Sequence, residues 1–285
     1  MSFRLFRFLF LGILTCLLFF IWRAIFFYSD PTLFVYFLNI GQGDAIFIRA
    51  PGGNQMLIDG GPTGDVLEKE LGKVMPFFDR SLDVVLATHP DQDHIGGLSS
   101  LFLHTPVSLF VENGSTSTSA SFKNLEKTLK EEDIKKITAH QNLKIYLGKE
   151  VLFSVLFPDR SVAGLETNTA SIVGTLRYGK RQFLLTGDSP LSIENYLVGL
   201  YGKNLKSDVL KAGHHGSRTS TGALFLSAVL PEHIVISAGQ NNRYGHPHQE
   251  VIERAQKLKI AIWRTDESGT LLFKTNGENL ILPTH

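Results

Sequence analysis

The feature that most constrains this chain is a run of metal-ligand side chains directly after an apolar strand. Residues 82–88 have the apolar and β-branched composition of a buried strand. His89, Asp91, Asp93 and His94 follow within six positions. Imidazole and carboxylate groups are the ligands that zinc, manganese and iron take in proteins. A polar helix cap can contain the same residue types, but their density beside an apolar strand favours a metal site.

The order of elements around this cluster occurs twice along the chain. A strand, an Asp/Gly break, a helix, a second strand and a histidine cluster occur first around Asp59 and again around Asp188. The second copy leads to the pair His214 and His215. This pattern predicts two similar sheets packed face to face and covered by helices. The polar segment Ser115–Ser121 is too short for a linker, so we expect one catalytic domain over residues 29–285.

The N-terminus has the pattern of a membrane segment. Residues 8–28 are almost continuously apolar, interrupted only by Arg23, and about 20 such residues cross a bilayer as a helix. Trp22 is suited to the membrane interface. A cleaved signal peptide is the alternative, but the apolar run exceeds a usual signal core and no small-residue cleavage site follows. We expect residues 1–28 to form a single-pass anchor.

The charges at the N-terminus favour a position of the predicted domain outside the cytoplasm. Arg4 and Arg7 precede the apolar run, and positive residues favour the cytoplasmic side. The whole chain has a formal net charge of +1, and the part after Tyr28 is slightly acidic. This balance gives no general support for nucleic-acid binding, which would need a local patch. Cys16 is the only cysteine, so the chain has no disulfide partners and no cysteine metal site.

Several motifs resemble those of a known family. The chain resembles the metallo-β-lactamase superfamily, whose signature is H-x-H-x-D-H after a strand. More narrowly, it resembles the hydrolase domain of the ComEC/Rec2 DNA-uptake proteins. The resemblance implies an α/β (α+β) fold, a four-layer αβ/βα sandwich, here preceded by one predicted transmembrane helix. The matching stretches are residues 39–44, 57–61, 88–98, 168–171, 184–188, 210–217, 244–248 and 264–266.

The resemblance also implies a site for two divalent metal ions. One ion would take His89 and Asp91, and the other would take Asp93 and His94. Asp188 would bridge the ions, although an aspartate there can also cap the following helix. Either His214 or His215 would complete the second site, and the other would contact substrate or transfer a proton. The residues implied in catalysis are Asp93, Asp188, His214 and His246.

Two departures from the superfamily signature affect the first metal position. Asp91 stands where the second signature histidine is expected, which favours manganese as well as zinc. The histidine expected before the bridging aspartate is absent, and Asn168 or Ser171 occupies that region. Neither is a strong ligand for a transition metal. The first site is therefore expected to be poor in ligands.

Further polar residues are predicted around the metals. Asp44 and Asp59 follow strands and are expected to orient the ligand imidazoles rather than to bind metal. Ser217 and His248 are expected near the substrate. For His246, a role in proton donation and an incidental place at a helix N-terminus are left open.

One lysine beside the second histidine cluster is ambiguous. Lys211 stands just before the pair His214 and His215. It can hold a substrate phosphate, but a solvated surface charge is the usual explanation for a lysine near a motif.

The functional prediction is a membrane-anchored, metal-dependent phosphodiesterase or nuclease acting on DNA. Because the chain has neither many membrane spans nor room for other domains, it would act alone or with a separate DNA-uptake channel. One alternative is a hydrolase of another ester, such as a cell-envelope phosphoester, resembling the phosphorylcholine esterases. A second alternative is a non-catalytic, membrane-tethered binding module.

Overall fold

The N-terminal segment is one long helix. The computed structural model describes residues 3–28 and 31–283. Helix α1 (Phe3–Tyr28) has 26 residues, and its described large apolar side chains from Phe8 to Trp22 are exposed. Among the described residues, no helix meets both the length and the apolarity needed to cross a membrane. The boundary between the predicted anchor and the predicted domain lies between residues 28 and 29. Ser29 and the side chain of Arg23 lie outside the described part of the chain.

The first sheet has eight strands. They are β1 (Leu33–Phe37), β2 (Ile46–Arg49), β3 (Gln55–Ile58), β4 (Leu82–Leu86), β5 (Val107–Glu112), β6 (Lys136–Thr138), β14 (Leu271–Thr275) and β15 (Leu280–Ile281). Their order across the sheet is β15-β14-β1-β2-β3-β4-β5-β6. Strands β3 to β6 are parallel to one another, whereas β1, β2 and β14 pair antiparallel.

The second sheet has seven strands. They are β7 (Lys144–Leu147), β8 (Val151–Phe157), β9 (Val173–Tyr178), β10 (Arg181–Leu185), β11 (Val209–Lys211), β12 (His233–Ile236) and β13 (Ala261–Arg264). Their order is β13-β12-β11-β10-β9-β8-β7, with β10 to β13 parallel. The chain therefore builds the second sheet and then returns to the first, where β14 pairs with β1.

Helices cover the outer faces of both sheets. They are α2 (Gly64–Val74), α3 (Gln92–Ile95), α4 (Leu98–His104), α5 (Ala120–Glu131), α6 (Leu191–Tyr201), α7 (Ala223–Val229), α8 (Gln249–Lys257) and α9 (Thr265–Ser268). The helices expected after the Asp/Gly breaks at Asp59 and Asp188 are α2 and α6. Helices α4 and α5 were not predicted from the sequence.

The apolar core is divided into three layers by the two sheets. A central layer between the sheets contains Phe153, Phe183 and Phe273, all fully buried. The other two layers lie between each sheet and its own helices, for example around Phe47 in the first half and Phe225 in the second. This arrangement of helix, sheet, sheet and helix confirms the predicted mixed α/β sandwich.

The parallel strands give the sandwich two distinct ends. Strands β1, β3, β4, β10, β11 and β12 all finish at one end, which we call the site end; the opposite end is the base. The strand expected over residues 82–88 is β4, which ends at Leu86. Its last two expected residues, Ala87 and Thr88, leave the sheet and form part of a loop of the site end.

Candidate metal centre

Loops from both sheets bring the predicted polar residues together at the site end. The first sheet contributes Asp44 after β1, Asp59 after β3 and His89 to His94 after β4. The second sheet contributes Asp188 after β10 and the segment Lys211–His215 at the end of β11. Ligands in open α/β sheets bind at the carboxyl ends of the strands, which is where these loops meet.

His94 is oriented by a buried carboxylate. Its Nδ1 atom lies 2.8 Å from Oδ2 of Asp59. Asp59 also accepts hydrogen bonds from the backbone N–H of Thr88, at 2.7 Å, and from the Thr88 hydroxyl, at 2.8 Å. Because the carboxylate is only an acceptor, Nδ1 of His94 carries the proton. The lone pair of the imidazole is therefore on Nε2, which lies 3.3 Å from Oδ2 of Asp188.

His89 is oriented by the same group of hydrogen bonds. Its Nδ1 atom lies 3.0 Å from the Thr88 hydroxyl. Since that hydroxyl donates its proton to Asp59, it accepts the N–H of His89. The lone pair on Nε2 of His89 then faces Oδ2 of Asp91, at 3.6 Å. Thr88 was not singled out in the sequence; its only signal is its position immediately before the first histidine.

His215 completes a set of three imidazoles with the same tautomer. Its Nδ1 atom donates to the backbone oxygen of Ser237 at 3.1 Å. Its Nε2 atom lies 3.2 Å from Oδ2 of Asp93 and 3.3 Å from Oδ2 of Asp188. An N–H on one ring nitrogen held by a fixed acceptor is the usual way in which a protein prepares a histidine for metal binding.

The imidazole lone pairs lack hydrogen-bond partners within the described part of the chain. Among residues 3–28 and 31–283, the Nε2 atoms of His89, His94 and His215 are buried and find no partner, although carboxylates surround them. Buried polar atoms are normally hydrogen-bonded, so three such atoms in one cluster require an explanation. One ligand atom from each of His94, His215, Asp188 and Asp44 lies within 4.8 Å of the other three. The nitrogen and oxygen donors and their spacing fit a divalent metal ion.

Asp44 lies on the other side of the imidazole rings. Its carboxylate is 3.5 Å from Nδ1 of His215 and 3.9 Å from Nδ1 of His94, whereas the unpaired lone pairs are on Nε2. It also forms a short ion pair with Lys211. We therefore place Asp44 among the groups that support the imidazoles, although its distance to the cluster would allow it to act as a ligand.

Lys211 is part of the interior of the site. Its side chain is fully buried, its ammonium contacts Asp44, donates to the backbone oxygen of Gly187 at 3.1 Å, and lies 3.6 Å from Oδ1 of Asp188. The expectation of a solvated surface charge or a phosphate ligand is therefore wrong. The available signal was its position in a strand, between the apolar residues Leu210 and Ala212.

Opposite charges hold the two innermost carboxylates in their ionised form. Burial alone would raise the pKa of Asp44, but Lys211 and His215 outweigh it and lower the pKa to about 2. Burial also opposes ionisation of Asp188, yet His215 and His94 hold its pKa well below the usual range. Ionised carboxylates are the form that binds a metal cation.

The imidazoles differ in their electrostatic environment. Burial, together with the neighbouring charge of His94, lowers the pKa of His89 to about 3. Burial would also lower the pKa values of His94 and His215, but the surrounding carboxylates, with Asp188 the strongest, raise both well above the usual value. The carboxylates around these two rings therefore favour positive charge at this position, which a metal cation would supply.

Two of the site histidines have unusual backbone conformations. His214 and His215 are consecutive and have φ values of +49° and +54°, in the left-handed region. Each such residue outside glycine costs about 1–3 kcal/mol, and such strain is concentrated at functional sites. The left-handed turn aims His215 into the cluster, while His214 stays about one-third exposed, with its Nε2 atom 3.9 Å from Asp188.

The open side of the cluster is lined by further histidines. The His246 ring lies 5.5 Å from that of His214, and its Nδ1 atom is buried without a partner. Burial and the nearby His215 lower the pKa of His246 to about 4, so it is neutral at pH 7. His248 precedes α8, accepts a hydrogen bond from the backbone N–H of Arg218 at 3.1 Å, and has its ring 4.9 Å from His246.

The remaining predicted residues support the loops. Ser171 accepts a hydrogen bond from the backbone N–H of Asp188 at 3.2 Å, so it positions this carboxylate. Oδ1 of Asn168 is buried without a partner. The Ser217 hydroxyl pairs with that of Thr219 at 2.9 Å and braces the turn after the histidine pair.

Comparison with known proteins places this geometry in a family. A family model described as the metallo-beta-lactamase superfamily matches residues 38–239, which include the strands and loops of the cluster. The chain belongs to the metallo-beta-lactamase superfamily. Within this superfamily it is similar to competence proteins, as the resemblance of its motifs implied.

Two curated relatives carry this similarity. ComE operon protein 3 of Bacillus subtilis is 36% identical over 83% of this chain and 32% of that protein. Competence protein ComA of Neisseria gonorrhoeae is 32% identical over 82% of this chain and 31% of that protein. The chain thus spans about a third of the length of these relatives.

A solved structure shows the same superfamily fold. The metallo-beta-lactamase fold protein YhfI from Bacillus subtilis superposes with a TM-score of 0.59 and 11% identity. The superposition covers 85% of this chain and 99% of YhfI. At this identity the likeness concerns the fold alone.

Proposed function

We propose that this chain is a membrane-anchored, two-metal phosphodiesterase that cleaves DNA. The observation that carries the proposal is the convergence of unpaired, buried imidazole nitrogens on the carboxylates of Asp91, Asp93 and Asp188. A site of this kind has little use other than holding metal cations, and two-metal sites are common in phosphodiester hydrolysis.

The side chains divide into two ligand sets that share one carboxylate. The first set is His89 with Asp91, and the second is His215 with Asp93 and His94. We assign Asp188 to both sets, as the resemblance implies. Its Oδ2 atom lies near His94 and His215 of the second set, and its backbone N–H donates to Ser171. His215 is preferred over His214 as the ligand, since its lone pair is buried, unpaired and closer to Asp188.

Formal charge supports two ions rather than one. The carboxylates of the cluster and the buried lysine leave four formal negative charges, which two divalent cations balance. With a single divalent ion the site would remain negative and would repel a phosphodiester. The groups counted are Asp44, Asp59, Asp91, Asp93, Asp188 and Lys211.

The donor types favour zinc or manganese. The second set has two imidazoles and a carboxylate, as in many zinc sites, whereas the first has one imidazole and one unshared carboxylate. The weaker first set makes manganese, which accepts oxygen ligands readily, as suitable as zinc.

When bound, the metal ions would lower the pKa of a water molecule and stabilise the charge that develops on the phosphate oxygens. The chain's own contribution is positional. Asp93 and Asp188 hold the ligand geometry, and Asp59 and Ser237 keep the imidazole lone pairs aimed inward.

Two histidines on the open side are available to the substrate. Burial lowers the pKa values of both His214 and His246, so both rings are neutral at pH 7. A neutral imidazole can donate one N–H to a phosphate or leaving-group oxygen and accept a proton on its other nitrogen. This is the role that we assign to His214 and His246.

The assignment of DNA as the substrate rests on the similarity to competence proteins. The proposed partner is a separate DNA-uptake channel, which would supply the strand. A chain that degrades DNA outside the cell would also fit the predicted extracytoplasmic side. The slightly acidic domain makes local contacts at the cluster, rather than overall charge, the basis of binding.

The membrane location is the remaining part of the proposal. It is supported by the apolar sequence of residues 8–28 and by the exposure of the described large apolar side chains of α1 from Phe8 to Trp22. Exposed apolar surface of this extent is typical of contact with a membrane or another protein. Arg4 and Arg7 before the run favour an external domain.

The decisive experiment measures metal content and cleavage on the full-length protein in detergent. We expect close to two equivalents of zinc or manganese per chain, and metal-dependent cleavage of both linear DNA and bis(p-nitrophenyl) phosphate. Asp188→Asn should remove cleavage while keeping the shape of the side chain, and Asp65→Asn, at an exposed position on α2, is the matched control.

Each negative result has a distinct meaning. Absence of bound metal would contradict every enzymatic interpretation and favour a tethered binding module. Cleavage of the small diester without cleavage of DNA would retain the phosphodiesterase and reject DNA, leaving a cell-envelope phosphoester as the substrate to test.

A further inference from the structure

An aromatic pair is exposed at the base of the sandwich. Phe77 and Phe78 lie between α2 and β4, with 78% and 82% of their side chains exposed. Their rings contact each other edge to face, with centroids 5.0 Å apart. Two adjacent, almost fully exposed phenylalanines are unusual on a surface that faces only water.

Exposed leucines lie at the same end of the sandwich. The helices that lead into the parallel strands begin near the site end, follow the sheet and finish at the base, where the next strand begins. They are α2, α4, α5, α6, α7 and α8. The last turns or C-caps of four helices carry exposed leucines: Leu103, Leu200, Leu230 and Leu258.

The site end is poorer in such side chains. Between residues 31 and 283, the exposed large apolar side chains at the site end are Leu165, Leu224 and Tyr244. The apolar surface of the domain is thus concentrated at the end opposite the metal cluster.

Helix α1 reaches the domain at the base as well. It precedes β1, which begins at Leu33 at this end. The ring of Phe20 in α1 lies 6.4 Å from that of Phe78, edge to face. Trp22 follows Phe20 by about 3 Å along the helix axis. Tryptophan concentrates at the membrane interface, so the interface is expected near Trp22. Phe78 contacts α1 close to this level.

From these observations we propose that the base of the sandwich lies against the lipid bilayer, with Phe77 and Phe78 inserted at the interface and the metal cluster facing the water. The proposal rests on the membrane anchor proposed above. It adds a second membrane contact, made by the catalytic domain itself, and a fixed orientation of the site.

The orientation selects the class of substrate. Strand β4 runs from the base to the first ligand loop, and its five residues span about 16 Å. A cluster held that far above the bilayer, opening away from it, receives a polymer from the aqueous phase. The headgroup of a lipid in the same bilayer would not reach it. The orientation therefore favours a soluble polyanion such as DNA over a phospholipid ester.

The test uses the full-length chain in vesicles of phosphatidylcholine and phosphatidylglycerol. The only cysteine, Cys16, is replaced by serine, and single cysteines are introduced at Phe78, Leu258 or Leu224 for labelling with an environment-sensitive nitrobenzoxadiazole group. Leu224 is the matched control, because it is also exposed and apolar but lies at the site end. We expect spin-labelled lipids to quench the probes at positions 78 and 258 and to leave the probe at 224 unquenched.

The outcomes separate this inference from the anchor. If the chain floats with the vesicles but the probes at 78 and 258 respond like the one at 224, the orientation is rejected while the anchor stands. If the chain does not float, the anchor itself is rejected. Shielding at position 78 that appears without lipid and grows with protein concentration would assign this surface to a second copy of the chain and overturn the proposal.

Discussion

Nδ1 of His94 lies 2.8 Å from Oδ2 of Asp59, and this contact sets which nitrogen of the imidazole faces the metal cluster. The same carboxylate binds the backbone and the hydroxyl of Thr88, which in turn holds His89. One buried aspartate thus determines the tautomer of two candidate ligands. A group in this position acts on the metal through the rings that it orients.

Replacing Asp59 by asparagine should weaken metal binding without unfolding the chain. Asparagine keeps the size of the side chain and tolerates the φ of +60° found at this position. Its amide removes the negative charge and offers one acceptor oxygen in place of two. We expect metal affinity to fall roughly 10- to 100-fold, as is typical for groups that orient ligands. Competition with a chromogenic chelator measures the metal affinity, and Asp65→Asn serves as the control. Equal metal affinity in the two variants would contradict the role of Asp59 in orienting the imidazoles.

Lys211 should stabilise the metal-free chain through its ion pair with Asp44. Lys211→Met removes the ammonium group from the buried Asp44 carboxylate, and breaking a buried ion pair in this way costs about 3–5 kcal/mol. Urea unfolding of the metal-free protein measures the change. Adding Asp44→Asn to Lys211→Met removes the carboxylate charge and should restore part of the loss. If the double variant lost as much unfolding free energy as the two single variants lose together, the two residues would act independently.

Glu194 should give the chain a measurable pH dependence of stability. It is buried in α6 and accepts hydrogen bonds from the backbone N–H groups of Thr221 and Gly222, at 2.5 and 2.8 Å. Burial raises its pKa from 4.5 to about 7. The unfolded chain loses this proton at a lower pH than the folded chain does. The folded state is therefore favoured below pH 4.5, and this contribution is lost as the pH rises to 7.

The size of the effect follows from the pKa difference. A shift from 4.5 to about 7 corresponds to about 3 kcal/mol between pH 4.5 and neutrality. Urea unfolding of the wild type and of Glu194→Gln at pH 5 and pH 8 isolates the contribution of Glu194, because the metal cluster contributes equally to both proteins. We expect the wild type to lose more stability than Glu194→Gln over this interval. Parallel pH profiles would contradict the assignment.

The sequence predicted the parts of the site that depend on local pattern. The strand before His89 and the ligand spacing up to His94 are properties of a few consecutive residues, and the fold family could be inferred from such motifs. The contacts between Asp59 and Thr88, and between Asp44 and Lys211, join residues from different strands or sheets. No local pattern encodes them. Likewise, the burial of Lys211 depends on a carboxylate that the other sheet supplies.

The two adjacent histidines should separate into a metal ligand and a substrate contact, which the sequence alone left open. Nε2 of His215 is buried, unpaired and 3.3 Å from Asp188, whereas His214 is more exposed and its Nε2 atom lies 3.9 Å from the same oxygen. His215→Asn should therefore lower the metal content of the purified chain, while His214→Asn should retain it and reduce kcat. Asparagine suits the left-handed backbone of both positions, so neither change adds backbone strain. Metal analysis beside steady-state cleavage of bis(p-nitrophenyl) phosphate gives both quantities. Metal loss in His214→Asn with full occupancy in His215→Asn would reverse the assignment, because the ligand lone pair would then belong to the more exposed ring.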